Sequence, residues 1–120
     1  MKILIIDDNE DISTAFSKYF IHKGHYCSVS NNGHNALSVI ENNSFDVILM
    51  DLALPEFSGS DIVESLYSRN LINDKLIVAL TASSPSDEEK NVLKKKGVHS
   101  ILKKPIDPDE LLDYLSKIKR

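Results

Sequence analysis

Val47-Ile48-Leu49-Met50-Asp51 sets four consecutive apolar side chains ahead of one acid, and this run decides how the rest of the chain is read. A strand that is apolar at every position has no wet face, so it belongs inside a sheet covered by helices on both sides. Ile3-Leu4-Ile5-Ile6 and Leu76-Ile77-Val78-Ala79-Leu80 read the same way. These three are predicted to be interior strands. Tyr26 to Ser30 alternates apolar with polar, and Val98 to Leu102 is interrupted by His99 and Ser100, so both are predicted to be edges.

Between the strands the apolar spacing changes to that of helices. Ile12, Ala15, Phe16, Tyr19 and Phe20 mark a first helix that stops at Gly24, a natural left-handed closing residue. Ala36, Leu37 and Ile40 mark a second, and Ile62, Val63 and Leu66 a third. Ser86 to Lys96 is a weak fourth, mostly charged, with only Val92 and Leu93 to bury before Gly97. The fifth carries Leu111, Leu112, Leu115 and Ile118, and opens with Asp107 as cap, Pro108 in the first turn and Glu110 close behind.

Strict alternation of five strands and five helices calls for a parallel sheet with right-handed crossovers and helices on both faces. With strands one, three and four inside and two and five at the edges, the order is 2-1-3-4-5. That is the flavodoxin-like, doubly wound α/β arrangement. No linker, repeat or low-complexity segment interrupts the series, so residues 1–120 are read as one domain.

Composition narrows the function classes. The chain has 120 residues, 42% hydrophobic and 27% charged, which suits one globular core and argues against disorder. Its longest apolar run, Leu76 to Leu80, is far short of the roughly 18 residues of a membrane span, and Met1-Lys2-Ile3 does not open a signal peptide. A soluble cytoplasmic protein with no membrane partner is expected. The net charge of -4 does not suit wrapping nucleic acid. Residues 1–85 hold 5 basic and 11 acidic side chains, and residues 86–120 hold 9 basic and 7 acidic, so the acid is concentrated early. The lone Cys27 excludes an internal disulfide and reads as a small packed core residue.

In a doubly wound sheet, ligands bind beyond the carboxyl ends of the strands, near the point where strand order reverses. Strand one ends in Asp7-Asp8, strand three in Asp51, strand four in Thr81, and strand five in Lys103-Lys104 before Pro105. Neighbouring strands lie about 4.8 Å apart, so Asp51 must converge with at least one of Asp7 and Asp8. Carboxylates that close repel, and a divalent cation is the simplest remedy. All-oxygen donors at an open site favour Mg²⁺, while His22, His25, His34 and His99 fall elsewhere. Taken singly, each group has a plainer explanation: Asp7-Asp8 as a helix cap, Asp51 and Thr81 as turn residues, Lys104 as a surface lysine. Taken together on one sheet edge, they read as a site. Successive residues of a strand point to opposite faces, so only one of Lys103 and Lys104 can reach it, and Lys104, beside Pro105, is the choice.

At these spacings Ile5-Ile6-Asp7-Asp8, Asp51 with Pro55 and Gly59, Leu80-Thr81-Ala82 and Lys103-Lys104-Pro105 together resemble the response-regulator receiver domain of two-component signalling, from Met1 to about Lys119. The resemblance implies that Asp51 accepts a phosphoryl group from a histidine kinase or phosphotransfer protein. It implies Mg²⁺ held by Asp7, Asp8, Asp51 and the backbone carbonyl of Ala53, with Thr81 and Lys104 on phosphoryl oxygens and a cis peptide before Pro105. Such a domain would catalyse only its own phosphorylation and dephosphorylation, so it is not expected to be an enzyme otherwise.

Ile101 departs from the pattern, because many receivers carry Tyr or Phe there. Its branched side chain offers no ring or hydroxyl, so the loop after Thr81 and the fourth helix are expected to carry more of the switch. A stand-alone receiver acting through its surface is expected, with a downstream protein docking on helix four, strand five and helix five. Lys90, Lys94, Lys95 and Lys96 would give that face a basic stripe. A phosphorylation-independent interaction module is the alternative. An aspartyl-phosphate hydrolase would need an acid at position 53, where Ala stands, and a nucleotide fold would need a glycine-rich loop where Asp8-Asn9-Glu10 stands.

Overall fold

In the computed structural model, in which residues 1–119 are described, five parallel strands form one sheet in the order β2-β1-β3-β4-β5. The strands are β1 (Lys2–Ile6), β2 (Tyr26–Ser30), β3 (Val47–Asp51), β4 (Ile77–Thr81) and β5 (Ser100–Lys103). They alternate with α1 (Glu10–His22), α2 (Gly33–Asn42), α3 (Gly59–Ser68), α4 (Asp87–Lys96) and α5 (Pro108–Ile118). The strand order, the interior and edge assignments and the flavodoxin-like class are those expected. Among the described residues no helix is long and apolar enough to cross a membrane.

The pleat divides the core in two. Leu4, Ile6, Ile48, Met50, Ile77 and Ala79 face α2, α3 and α4, where they meet Ile40, Ile62, Leu66 and Leu93. Ile3, Ile5, Val47, Leu49, Val78 and Leu80 face α1 and α5, where they meet Phe20, Leu111 and Leu115. Strands β3 and β4 are buried at every position, which is why their sequences lack alternation.

Local chemistry sets where the helices begin. Asn9, Asn32, Ser58, Ser86 and Asp107 each cap the following helix by accepting a backbone N–H with the side chain, and Ser58 with Asp61 completes a capping box. Gly24, at φ 92°, follows the end of α1 as its left-handed residue. Helix α4 has acids Asp87, Glu88 and Glu89 in its first turn and Lys94, Lys95 and Lys96 in its last, matching the helix dipole at both ends.

Some expectations need correction. Val92 is 45% exposed, so α4 is anchored on the core by Leu93 alone. In α1, Ile12 and Ala15 are exposed, and Ser13 is buried in the position a helical wheel gave to apolar residues. Cys27 is only half-buried, as suits an edge strand. Strand β5 starts at Ser100, and Val98, in the loop from α4, is buried in the core instead. The basic stripe is broken: Lys94 and Lys95 are exposed, but Lys96 is half-buried and ion-paired with Glu64 of α3.

Candidate functional site

Four strand ends bring the sequence-predicted residues to one edge of the sheet. Asp7 directly follows β1, Asp51 closes β3, Thr81 closes β4 and Lys104 directly follows β5. Asp7, Asp51 and Thr81 are 4%, 8% and 4% exposed, which is far below what surface polar groups show. Asp8, one residue beyond Asp7, is exposed.

Lys104 joins the two buried acids. Its Nζ donates to Asp7 Oδ2 at 2.8 Å and to Asp51 Oδ2 at 3.0 Å. Burial pushes the Lys104 ammonium toward losing its proton, but the hydrogen bonds and charges of Asp7 and Asp51 outweigh that, and its pKa is raised above the ordinary lysine value. The second oxygen of each acid takes a backbone N–H two residues on: Asp7 Oδ1 from Asn9 at 2.9 Å, Asp51 Oδ1 from Ala53 at 2.9 Å. Each buried carboxylate is thus held at both oxygens, by a turn on one side and the lysine on the other. Lys104 bridges Asp7 to Asp51, two of the acids that the resemblance assigns to the metal.

Lys103 goes elsewhere, its Nζ donating to Ser84 Oγ at 3.0 Å, as opposite strand faces require. The peptide between Lys104 and Pro105 is cis, as the resemblance implied. The Thr81 hydroxyl is engaged with Ser83 rather than with the acids. Ala53 is exposed beside Asp51. The histidines lie outside the cluster: His25 Nδ1 sits 2.7 Å from the terminal ammonium of Met1, His34 stacks on Phe57 at 4.5 Å, and His99 contacts Ser100.

One carboxylate oxygen from each of Asp7, Asp8 and Asp51 can be chosen so that all three lie within 4.8 Å of one another. Three acids face one ammonium, an excess of negative charge in a partly buried hollow. Such a donor set fits a hard divalent cation, which accepts carboxylate and water oxygens.

The sequence reading missed the polar residues behind Asp7. Asn31, at the end of β2, donates from Nδ2 to the Asp7 carbonyl at 2.7 Å and toward Ser13 Oγ at 3.2 Å. Ser30 reaches Asn35 Oδ1 at 2.6 Å. The only signal was Ser30-Asn31-Asn32 after a strand, which reads as an ordinary turn.

A family model described as the response regulator receiver domain matches residues 3–116. The chain belongs to the receiver domain family. Response regulator SaeR of Staphylococcus aureus is 31% identical over 98% of this chain, and the probable transcriptional regulator ycf29 of Pyropia yezoensis is 27% identical over 98%. The chain spans about half the length of these curated relatives, 52% in each case. Among solved structures, the Francisella response regulator 1452 receiver domain superposes with a TM-score of 0.85 at 29% identity, covering 97% of this chain and 93% of that one. Vibrio cholerae chemotaxis protein CheY4 gives 0.86 at 28%, covering 98% and 97%. A Burkholderia pseudomallei response regulator, described with a phosphorylated aspartic acid, calcium ion and citrate, gives 0.81 at 26%, covering 98% of this chain and 69% of that one. The match places the chain among the receiver domains of two-component response regulators.

Proposed function

We propose that this receiver takes its phosphoryl group on Asp51 from the phosphohistidine of a histidine kinase or phosphotransfer protein, with Mg²⁺ as cofactor. The observation that carries the reading is Lys104, whose one ammonium spans Asp7 and Asp51. An Asp51 oxygen attacks phosphorus, the phosphorus–nitrogen bond of the donor breaks, and the imidazole leaves and recovers a proton from water. Charge builds on the equatorial oxygens of the transferred group, so what the protein supplies is position and neutralisation. Lys104 is tethered to the acceptor itself and is placed to follow the new charge. Thr81, at the end of the adjacent strand, offers a hydroxyl to another oxygen. Asp7, Asp8 and Asp51, with the Ala53 carbonyl, would hold the ion. When bound, Mg²⁺ offsets the charge of the acids and of the incoming phosphoryl group.

The product is an acyl phosphate whose hydrolysis resets the domain, so the chemistry acts on the chain itself. That the Burkholderia response regulator is described with a phosphorylated aspartic acid and a calcium ion supports the same chemistry here. The state is passed on to a downstream protein at the face of α4, β5 and α5, where the exposed Lys94 and Lys95 of α4 offer basic charge. The acids that open α4 and the net charge of -4 argue against direct nucleic acid contact. A cytoplasmic setting fits donors of this kind.

Incubation with acetyl phosphate and Mg²⁺, followed by intact mass, tests the reading. One added phosphoryl group is expected in the wild type and none in Asp51→Asn or in the presence of a chelator. Equal labelling of wild type and Asp51→Asn would overturn it.

A further inference from the structure

We infer that Asn31, which directly follows the edge strand β2, is a positioning residue for the Asp7-Asp8 turn and thereby sets the affinity of the acidic cluster for a divalent cation. The inference rests on the reading of that cluster given above. The register of β1 on β2 runs from Lys2 opposite Tyr26 to Ile6 opposite Ser30. It continues one bond further, with the Asp7 N–H donating to the Ser30 carbonyl at 3.1 Å. The next donor in that parallel ladder would be the backbone N–H of Asn32, but Asn32 turns away from the strand to cap α2 with its side chain, and no backbone bond from it to the Asp7 carbonyl forms. The group that reaches the Asp7 carbonyl is the side-chain amide of Asn31, at 2.7 Å. A carbonyl can only accept, so the nitrogen end of the amide must face it. The same nitrogen lies 3.2 Å from Ser13 Oγ, and Ser13 is 1% exposed and donates in turn to the Glu10 carbonyl of α1 at 3.2 Å.

Asn31 therefore extends the sheet by one rung with a side chain and ties that rung to α1. With it, every polar atom of Asp7 is engaged: N–H on Ser30, carbonyl on Asn31, Oδ1 on Asn9 and Oδ2 on Lys104. The carbonyl that Asn31 holds belongs to the peptide joining Asp7 to Asp8. Its tilt fixes the direction in which exposed Asp8 leaves the sheet, and so whether the two acids present oxygens to a common point. Groups that orient metal ligands without touching the metal commonly change affinity by about tenfold or more when removed.

The test is Mg²⁺ titration followed by the amide NMR shifts of Asp8 and Asp51, with urea unfolding of each variant alongside. Asn31→Leu keeps the volume and removes the donor, and its Mg²⁺ dissociation constant is expected to rise about tenfold. Asn31→Gln keeps a donor and is expected to recover most of that loss, which a merely structural role measured by the urea midpoint would not require. Ser13→Ala removes only the second anchor of the amide; it is expected to give a milder loss in the same direction and stands in if Asn31→Leu does not fold. A wild-type dissociation constant in Asn31→Leu, or in Ser13→Ala where Asn31→Leu is unfolded, overturns the inference. So does a loss that Asn31→Gln fails to recover. If the wild type itself shows no saturable shift with Mg²⁺, the cation reading falls as well, so the two failures are distinguishable.

Discussion

The Thr81 hydroxyl lies 2.9 Å from the Ser83 hydroxyl and also accepts the Ser83 backbone N–H at 3.1 Å. Ser83 thus competes for the group that the proposed function assigns to a phosphoryl oxygen. Either hydroxyl can be the donor in that contact, and where Thr81 donates, its single proton must leave Ser83 Oγ before it can serve phosphate. Space for the change exists, since a cavity of about 460 Å³ lies between Leu52, Ala53, Thr81 and Ser83 on one side and Val92 and Leu93 of α4 on the other. Ser83→Ala is expected to raise the rate of phosphoryl uptake about threefold, the worth of one neutral hydrogen bond. Intact mass against time checks it. NMR shift changes on phosphorylation should concentrate at residues 82–96 rather than at Ile101.

Lys104 is a counter-ion as well as a candidate catalytic group. Replacing it with Met leaves Asp7 and Asp51 buried without their cation, and breaking such a pair costs about 3 kcal/mol. A Mg²⁺ ion restores positive charge to the same acids. The urea stability of Lys104→Met is therefore expected to fall sharply in EDTA and to recover in part with Mg²⁺. A loss of the same size in both buffers would contradict a shared role. Because the Lys104 pKa is raised on folding, its contribution is complete below the ordinary lysine value and is lost only as the pH climbs through the folded value.

At the opposite end of the sheet, His25 Nδ1 faces the ammonium of Met1 at 2.7 Å and must accept rather than donate there. Burial, then the positive charges of the terminus and Lys119, lower the His25 pKa. A depressed histidine favours the folded state in its neutral form, so this stability is present above the unfolded value of about 6.5 and is lost as the pH falls through the folded one. The urea midpoint should decline on acidification, and His25→Gln should flatten that decline.

Two glycines separate backbone freedom from close packing. Gly24 has φ 92° and nothing within 4 Å of an added Cβ, so Gly24→Ala should cost about 1 kcal/mol of conformational strain. At Gly33, the first residue of α2, a Cβ would stand 2.0 Å from the Phe57 carbonyl oxygen. Gly33→Ala must push back the loop that runs from Asp51 to α3, at a cost of about 2–3 kcal/mol. It is expected to slow phosphoryl uptake, whereas Gly24→Ala is not. Urea titration and the mass assay distinguish the two.

The interior strands were legible because burial on both faces leaves almost no polar position, and the division into interior and edge strands fits the flavodoxin-like order. The site was legible for the same reason. Once the strands were placed, Asp7, Asp51, Thr81 and Lys104 had to share an edge. What stayed hidden depends on side-chain direction rather than residue type. Val92 and Leu93 are adjacent and equally apolar, and only the rotation of α4 decides that Leu93 is the one that packs. Ser13 and Asn31 are ordinary polar residues until the turn of β2 brings them beneath Asp7. That Lys104 bridges Asp7 to Asp51 required the distance between two strand ends that no spacing in the chain contains.

Four strands end in a group of this pocket, Asp7 from β1, Asp51 from β3, Thr81 from β4 and Lys104 from β5, and the fifth, β2, is followed by Asn31, which holds the Asp7 carbonyl from behind. The pocket is a cross-section through all five, so no partly assembled intermediate lacking either border can own it. Competence for phosphoryl uptake then reports on completion of folding, and a nascent or nicked chain missing its last strand stays silent rather than signalling falsely.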